Sequence, residues 1–91
     1  MLKITIHNEA VLTRFELEGK LSGPWVEELK KCWQAALVAA PDDAFQIHLA
    51  DVIFVDEAGK ELLAALHRQR VALTAQGLVA EAVVTEIIAL S

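Results

Sequence analysis

Hydrophobic and polar positions alternate over the first stretch of the chain. Ile4 and Ile6 stand between Lys3, Thr5 and His7, the period-two pattern of a strand with one buried face. Asn8 and Glu9 read as a turn. A second alternation sets Val11, Thr13, Phe15 and Leu17 against Leu12, Arg14, Glu16 and Glu18. Two such runs so close together predict an antiparallel hairpin, ended at Gly19. The period then changes. Ser22-Gly23-Pro24 is a helix start, because proline in the first turn forfeits no hydrogen bond, and Glu27 and Glu28 complement the helix dipole. Val26, Leu29, Trp33, Ala36, Leu37 and Ala40 recur at three- and four-residue spacing. They form the apolar stripe of one amphipathic helix, which Pro41-Asp42-Asp43 stops.

Phe45, Ile47 and Leu49 alternate again and predict a third strand. Val52 to Val55 is either a buried loop or a short continuation leading to Asp56. The next helix is expected from about Glu57 to Ala75, with Gly59, Leu62, Leu63, Leu66 and Leu73 in one arc. Gln76-Gly77 closes it, with Gly77 in the left-handed cap position. Leu78 to Ala82 is then a short strand, and Val83 to Leu90 a helix with Val84, Ile87 and Ile88 on one face. The order strand, strand, helix, strand, helix, strand, short helix predicts an α/β fold. Its mixed sheet has an N-terminal antiparallel hairpin followed by βα units, with helices mainly on one face.

Composition narrows the function. The 91 residues, 1–91, make one small domain. With 55% hydrophobic and 23% charged residues, and a mean hydropathy of +0.41, the chain is no disordered polymer. It also has more apolar surface than one small core hides. Together with the apolar segment Val83 to Leu90, this predicts a homodimer in the absence of the natural partner, using a helix face or an exposed sheet edge. Thirteen acidic against eight basic residues give a formal charge of −5, which leaves no basic stripe for nucleic acid or an anionic membrane. A lone cysteine, Cys32, excludes an internal disulfide and suits a reducing, cytoplasmic setting. The apolar run Ala35 to Ala40 is too short for membrane insertion, and Lys3, His7 and Glu9 interrupt any signal-peptide core.

Little catalytic chemistry is offered. His7, His48 and His67 fall on three different elements, without metal-ligand spacing. Gly19 and Gly23 lack the Lys-Ser/Thr that completes a phosphate loop. Asp51, Asp56 and Glu57 could converge on Mg²⁺, but Asp56 as a helix N-cap and Glu57 as its first-turn dipole partner explain them more simply. Cys32 reads as a partly buried thiol and Trp33 as core. Trp25, at the helix entrance, reads as an exposed aromatic anchor. No cofactor, metal or catalytic residue is expected, and no enzyme.

Two stretches resemble a known family. Phe15-Glu16-Leu17-Glu18-Gly19-Lys20-Leu21-Ser22-Gly23-Pro24 contains a leucine-x-glycine-x-leucine strand end before a helix. Ile47-His48-Leu49-Ala50-Asp51-Val52-Ile53-Phe54-Val55-Asp56-Glu57-Ala58-Gly59 is a hydrophobic strand running into a helix-opening turn. Together they resemble the STAS domain of anti-sigma factor antagonists and of sulfate-transporter tails, in register over roughly residues 10 to 88. The resemblance implies a bacterial, cytoplasmic module that regulates through protein–protein contact. Its partner would be an anti-sigma factor of kinase-like type or a transporter subunit, and a small regulatory subunit of a transport complex is the alternative. A nucleotide or small-ligand sensor, using loops at the strand ends, is a rival of another class. The binding face would comprise Ser22, Trp25, Asp56, Glu57, Ala58 and Gly59. Family members switched by phosphorylation have an Asp-Ser-Ser-Gly turn. Here Asp56 and Gly59 match, while Glu57 and Ala58 fill the serine positions, so no phosphorylation is expected. The family domain usually continues with a further strand and helix, so a sheet edge or helix face is expected to lack its usual cover.

Overall fold

The computed structural model describes residues 1–90. Its elements are β1 (Leu2–Asn8), β2 (Leu12–Leu21), α1 (Pro24–Ala39), β3 (Ala44–Val55), α2 (Glu57–Arg68), β4 (Ala72–Ala75) and α3 (Leu78–Leu90). The four strands form one sheet in the order β1-β2-β3-β4. β1 and β2 are the expected antiparallel hairpin, with Ile4 opposite Leu17 and Ile6 opposite Phe15. β2 runs parallel to β3, and β3 to β4.

The alternation in each strand sorts the sheet into two faces. Phe15, Ile47 and Leu73 lie in register across β2, β3 and β4 and are all buried. Thr13 and Phe45, and Leu17 and Leu49, repeat this on the neighbouring rows. All three helices add to the same core: Leu29 and Trp33 from α1, Leu63 and Leu66 from α2, and Ala80, Val83, Val84 and Ile87 from α3. The helices therefore share one face. The opposite face keeps Arg14, Glu16, Gln46, His48 and Thr74 at the surface, where Thr74 Oγ1 lies 2.7 Å from His48 Nδ1 and accepts from Gln46 Nε2 at 3.0 Å.

Three local expectations are corrected. β2 does not end at Gly19 but continues to Leu21. Gly19 has φ 107, and a Cβ there would collide with the Met1 carbonyl oxygen, so glycine lets the strand pass rather than stopping it. Of the two readings of Val52 to Val55, the continuation holds, since the run is part of a twelve-residue β3. The second helix stops at Arg68, not Ala75. The chain turns at Arg70, a non-glycine residue with φ 67, and residues 72–75 form β4. Finally, Leu78 to Ala82 is the first part of α3, not a strand, and Gly77 (φ 98) precedes that helix instead of capping α2. The short segment around Leu73 fits a helical arc and a one-sided strand equally well, so periodicity could not separate them. Of Val84, Ile87 and Ile88, which share one side of the last helix, Val84 and Ile87 are buried and Ile88 is 48% exposed.

Candidate functional site

The parallel strands β2 and β3 end side by side, Leu21 next to Val55. Each leads into a helix start, so two loops meet at this end of the sheet. Asp56 joins them. Its Oδ1 accepts from the Gly59 N–H at 2.7 Å, the N-cap bond of α2. Its Oδ2 accepts from the Gly23 N–H at 2.9 Å, across to the start of α1. The Asp56 N–H donates to the Leu21 carbonyl at 3.1 Å. These two N–H donors, Gly23 first and Gly59 second, hold the Asp56 carboxyl below its ordinary 3.8.

The glycines make this joint possible. Gly59 is buried, and a Cβ there would lie 2.8 Å from both Leu21 O and Val55 Cγ1. Gly23 adopts φ 57, ψ −134, a conformation left to glycine, and it caps α1 without a side-chain bond. Pro24 then occupies the first helical turn. Lys60 ties the opening of α2 to the last helix, reaching Glu57 at 4.0 Å and Glu86 at 3.5 Å.

The structure brings all six residues of the expected face to one end of the sheet, in different roles. Glu57, with 87% of its side chain exposed, and Ala58 stand on the surface, and Ser22 is half-buried. Gly59 lies beneath the surface, where it serves packing. Trp25 is not the exposed anchor expected: it is half-buried and packs against the core. Between α1 and α2, beside Ala58, opens a groove of about 310 Å³, with Val26, Trp33, Leu62 and Leu66 on its floor and Glu27, Lys30 and Glu61 on its rim.

Ile53 and Phe54, 57% and 49% exposed, lie in the run Val52 to Val55, whose sequence offers a buried loop or a short continuation of the strand and marks neither residue as exposed. Two register shifts between β2 and β3 change the period of inward residues from two to three, giving Leu49, Val52 and Val55. Phe54 thereby comes level with Lys20 on the open face, two residues before Asp56. Only the tertiary pairing shows this.

Among the described residues no three His, Cys, Asp or Glu side chains converge as a metal site. No described helix is long and apolar enough to cross a membrane. Burial, with Glu28 nearby, pushes the Cys32 thiol up, which disfavours its thiolate.

No protein-family model matches the sequence, and no curated protein does. The fold does match solved structures. One is an anti-sigma factor antagonist from Mycobacterium paratuberculosis, with a TM-score of 0.69 and 18% identity over 85% of this chain and 69% of the other. Another is an uncharacterized protein of the DUF3478 family with a SpoIIAA-like fold from Shewanella loihica, with a TM-score of 0.58 and 18% identity over 86% of this chain and 70% of the other. The fold is thus STAS-like, as the two sequence stretches imply.

Proposed function

We propose that this domain is a non-enzymatic, regulatory protein-interaction module of the cytoplasm. Its partner face would be the surface around Glu57 and Ala58, with Ser22 and the adjoining α1–α2 groove. The observation behind this reading is the Asp56 joint. One carboxylate fixes two loops and two helix starts into a single surface, and a preorganised surface loses little entropy on docking. The groove beside it combines an apolar floor with a charged rim, the usual anatomy of a protein contact. Likeness of fold to an anti-sigma factor antagonist supports a regulatory role.

The same turn argues against a phosphorylation switch. Glu57 and Ala58 have no hydroxyl. Glu57 instead places one fixed negative charge at the helix start, where a phosphoserine would place nearly two. The module would then hold one binding state. The test is affinity capture from the source cells, followed by titration of the captured protein against the native chain, Glu57→Gln and Ala58→Arg. Both substitutions should weaken binding, Ala58→Arg about tenfold or more by steric block. Unchanged affinity for both would place the partner elsewhere, and phosphate found on this loop would refute the single-state reading.

A further inference from the structure

β1 is an edge strand, and among the described residues nothing pairs with its outer side. Which of its backbone groups are free follows from the hairpin. Lys20 N–H donates to Met1 O, and Glu9 N–H donates to Leu12 O. Hydrogen-bonded positions alternate in an antiparallel pair, so Lys3, Thr5 and His7 spend their N–H and C=O groups on β2. Those of Leu2, Ile4 and Ile6 point away from the sheet. The side chains of these same three residues lie on the helix face, where the helices pack on β2, β3 and β4. Ile6 is left 43% exposed and Ile4 half-buried. Natural edges are usually blunted by charge, proline or a bulge. β1 has no proline and pairs with β2 without a register shift, and Lys3 is its single guard.

We propose that this edge is the contact between two copies of the chain, joined antiparallel about a two-fold axis at Ile4. The strand is self-complementary in that register. Leu2 faces Ile6 of the second copy, Ile4 faces Ile4, and Ile6 faces Leu2, so every outward backbone group of these residues finds a partner. On the open face Lys3 meets Thr5 of the second copy. It then stands between its own Glu18, 3.7 Å away, and Glu16 of the second copy on the strand beyond. A basic edge strand is thereby flanked by acids on both sides. A shift of two residues, centring the pair on Thr5, would instead put Lys3 against His7. The helices do not obstruct the pairing. With strands about 4.8 Å apart, the two β2 strands lie about 14 Å apart. Each α1 packs on its own β2, and that spacing exceeds the 8–10 Å of helices in contact.

The test combines sedimentation with cross-linking. Native protein taken from micromolar to millimolar concentration should move from 9.9 kDa towards twice that mass. Ile6→Lys should weaken association about tenfold or more with an unchanged circular dichroism spectrum. In a Cys32→Ala background, Ile4→Cys should form a disulfide-linked dimer under mild oxidation, because a hydrogen-bonded antiparallel pair sets its Cα atoms about 5.5 Å apart. Thr5→Cys should not, since Thr5 faces Lys3. A native chain that stays monomeric throughout would overturn the proposal. So would a dimer that survives Ile6→Lys and gives no Ile4→Cys cross-link, and that result would shift the contact to another surface. Preferential cross-linking of Thr5→Cys would overturn the register.

Discussion

A methyl group on Gly59 would press on the Leu21 carbonyl and on Val55 at 2.8 Å. Neither neighbour is free to move, since Leu21 also accepts from Asp56 and Val55 is buried in the core. Gly59→Ala should therefore destabilise the domain by about 1–3 kcal/mol, the usual cost of overpacking, as read by urea denaturation. Asp56 gives a pH test. Its folded value is lowered below 3.8 by the Gly23 and Gly59 amides. A group of this kind stabilises the fold fully above its unfolded value and loses that contribution as pH falls through the lowered one. Asp56→Asn can accept through only one oxygen and cannot be discharged. It should be less stable than the native chain at neutral pH and should lose less stability on acidification, so that the two urea midpoints converge below about pH 4.

At the scale of elements, the junction between α2 and β4 is the strained one. Arg70 holds φ 67, which costs a side-chain-bearing residue roughly 1–2 kcal/mol. Arg70→Gly should raise stability by up to about 1 kcal/mol, part of the relief being offset by the extra freedom of glycine in the unfolded chain. This junction also marks where the sequence was hard to read. β1, β2, α1 and the first half of β3 are long and regularly periodic, and their patterns specify them. β4 has four residues and one buried side chain, Leu73, which a helix continuing from Leu66 would bury as well. His67 and Arg68 in the last turn of α2 were a stop signal, since cations favour a helix C-terminus. Gly77 misled because it looks like a C-cap while standing at the N-terminal side of α3. The site was legible to the extent that it is local: Asp56 capping α2 follows from its spacing to Gly59. Its second bond, to Gly23, spans 33 residues and arises only when β2 and β3 lie parallel.

The whole molecule is a two-layer structure with helices on one side of the sheet and open polar side chains on the other. Substitutions within one strand should separate the layers. Ile47→Ala, on the fully buried side of β3, should cost about 2–5 kcal/mol. Thr74→Val, on the open side of β4, gives up hydrogen bonds that water can replace and should change stability by no more than about 0.5 kcal/mol. Denaturant midpoints of the two variants would check this contrast. A comparable loss from Thr74→Val would mean that the open side is covered in solution.

One carboxylate protecting two amides has a kinetic consequence. A single rotation of the Asp56 side chain releases the Gly23 and Gly59 N–H groups together, though they belong to different helix starts. Their exchange with deuterated solvent should therefore be governed by one shared opening event, with protection factors that rise and fall in step across temperature. In Asp56→Asn, which retains a single acceptor oxygen, the two amides should uncouple, and one should exchange much faster than the other.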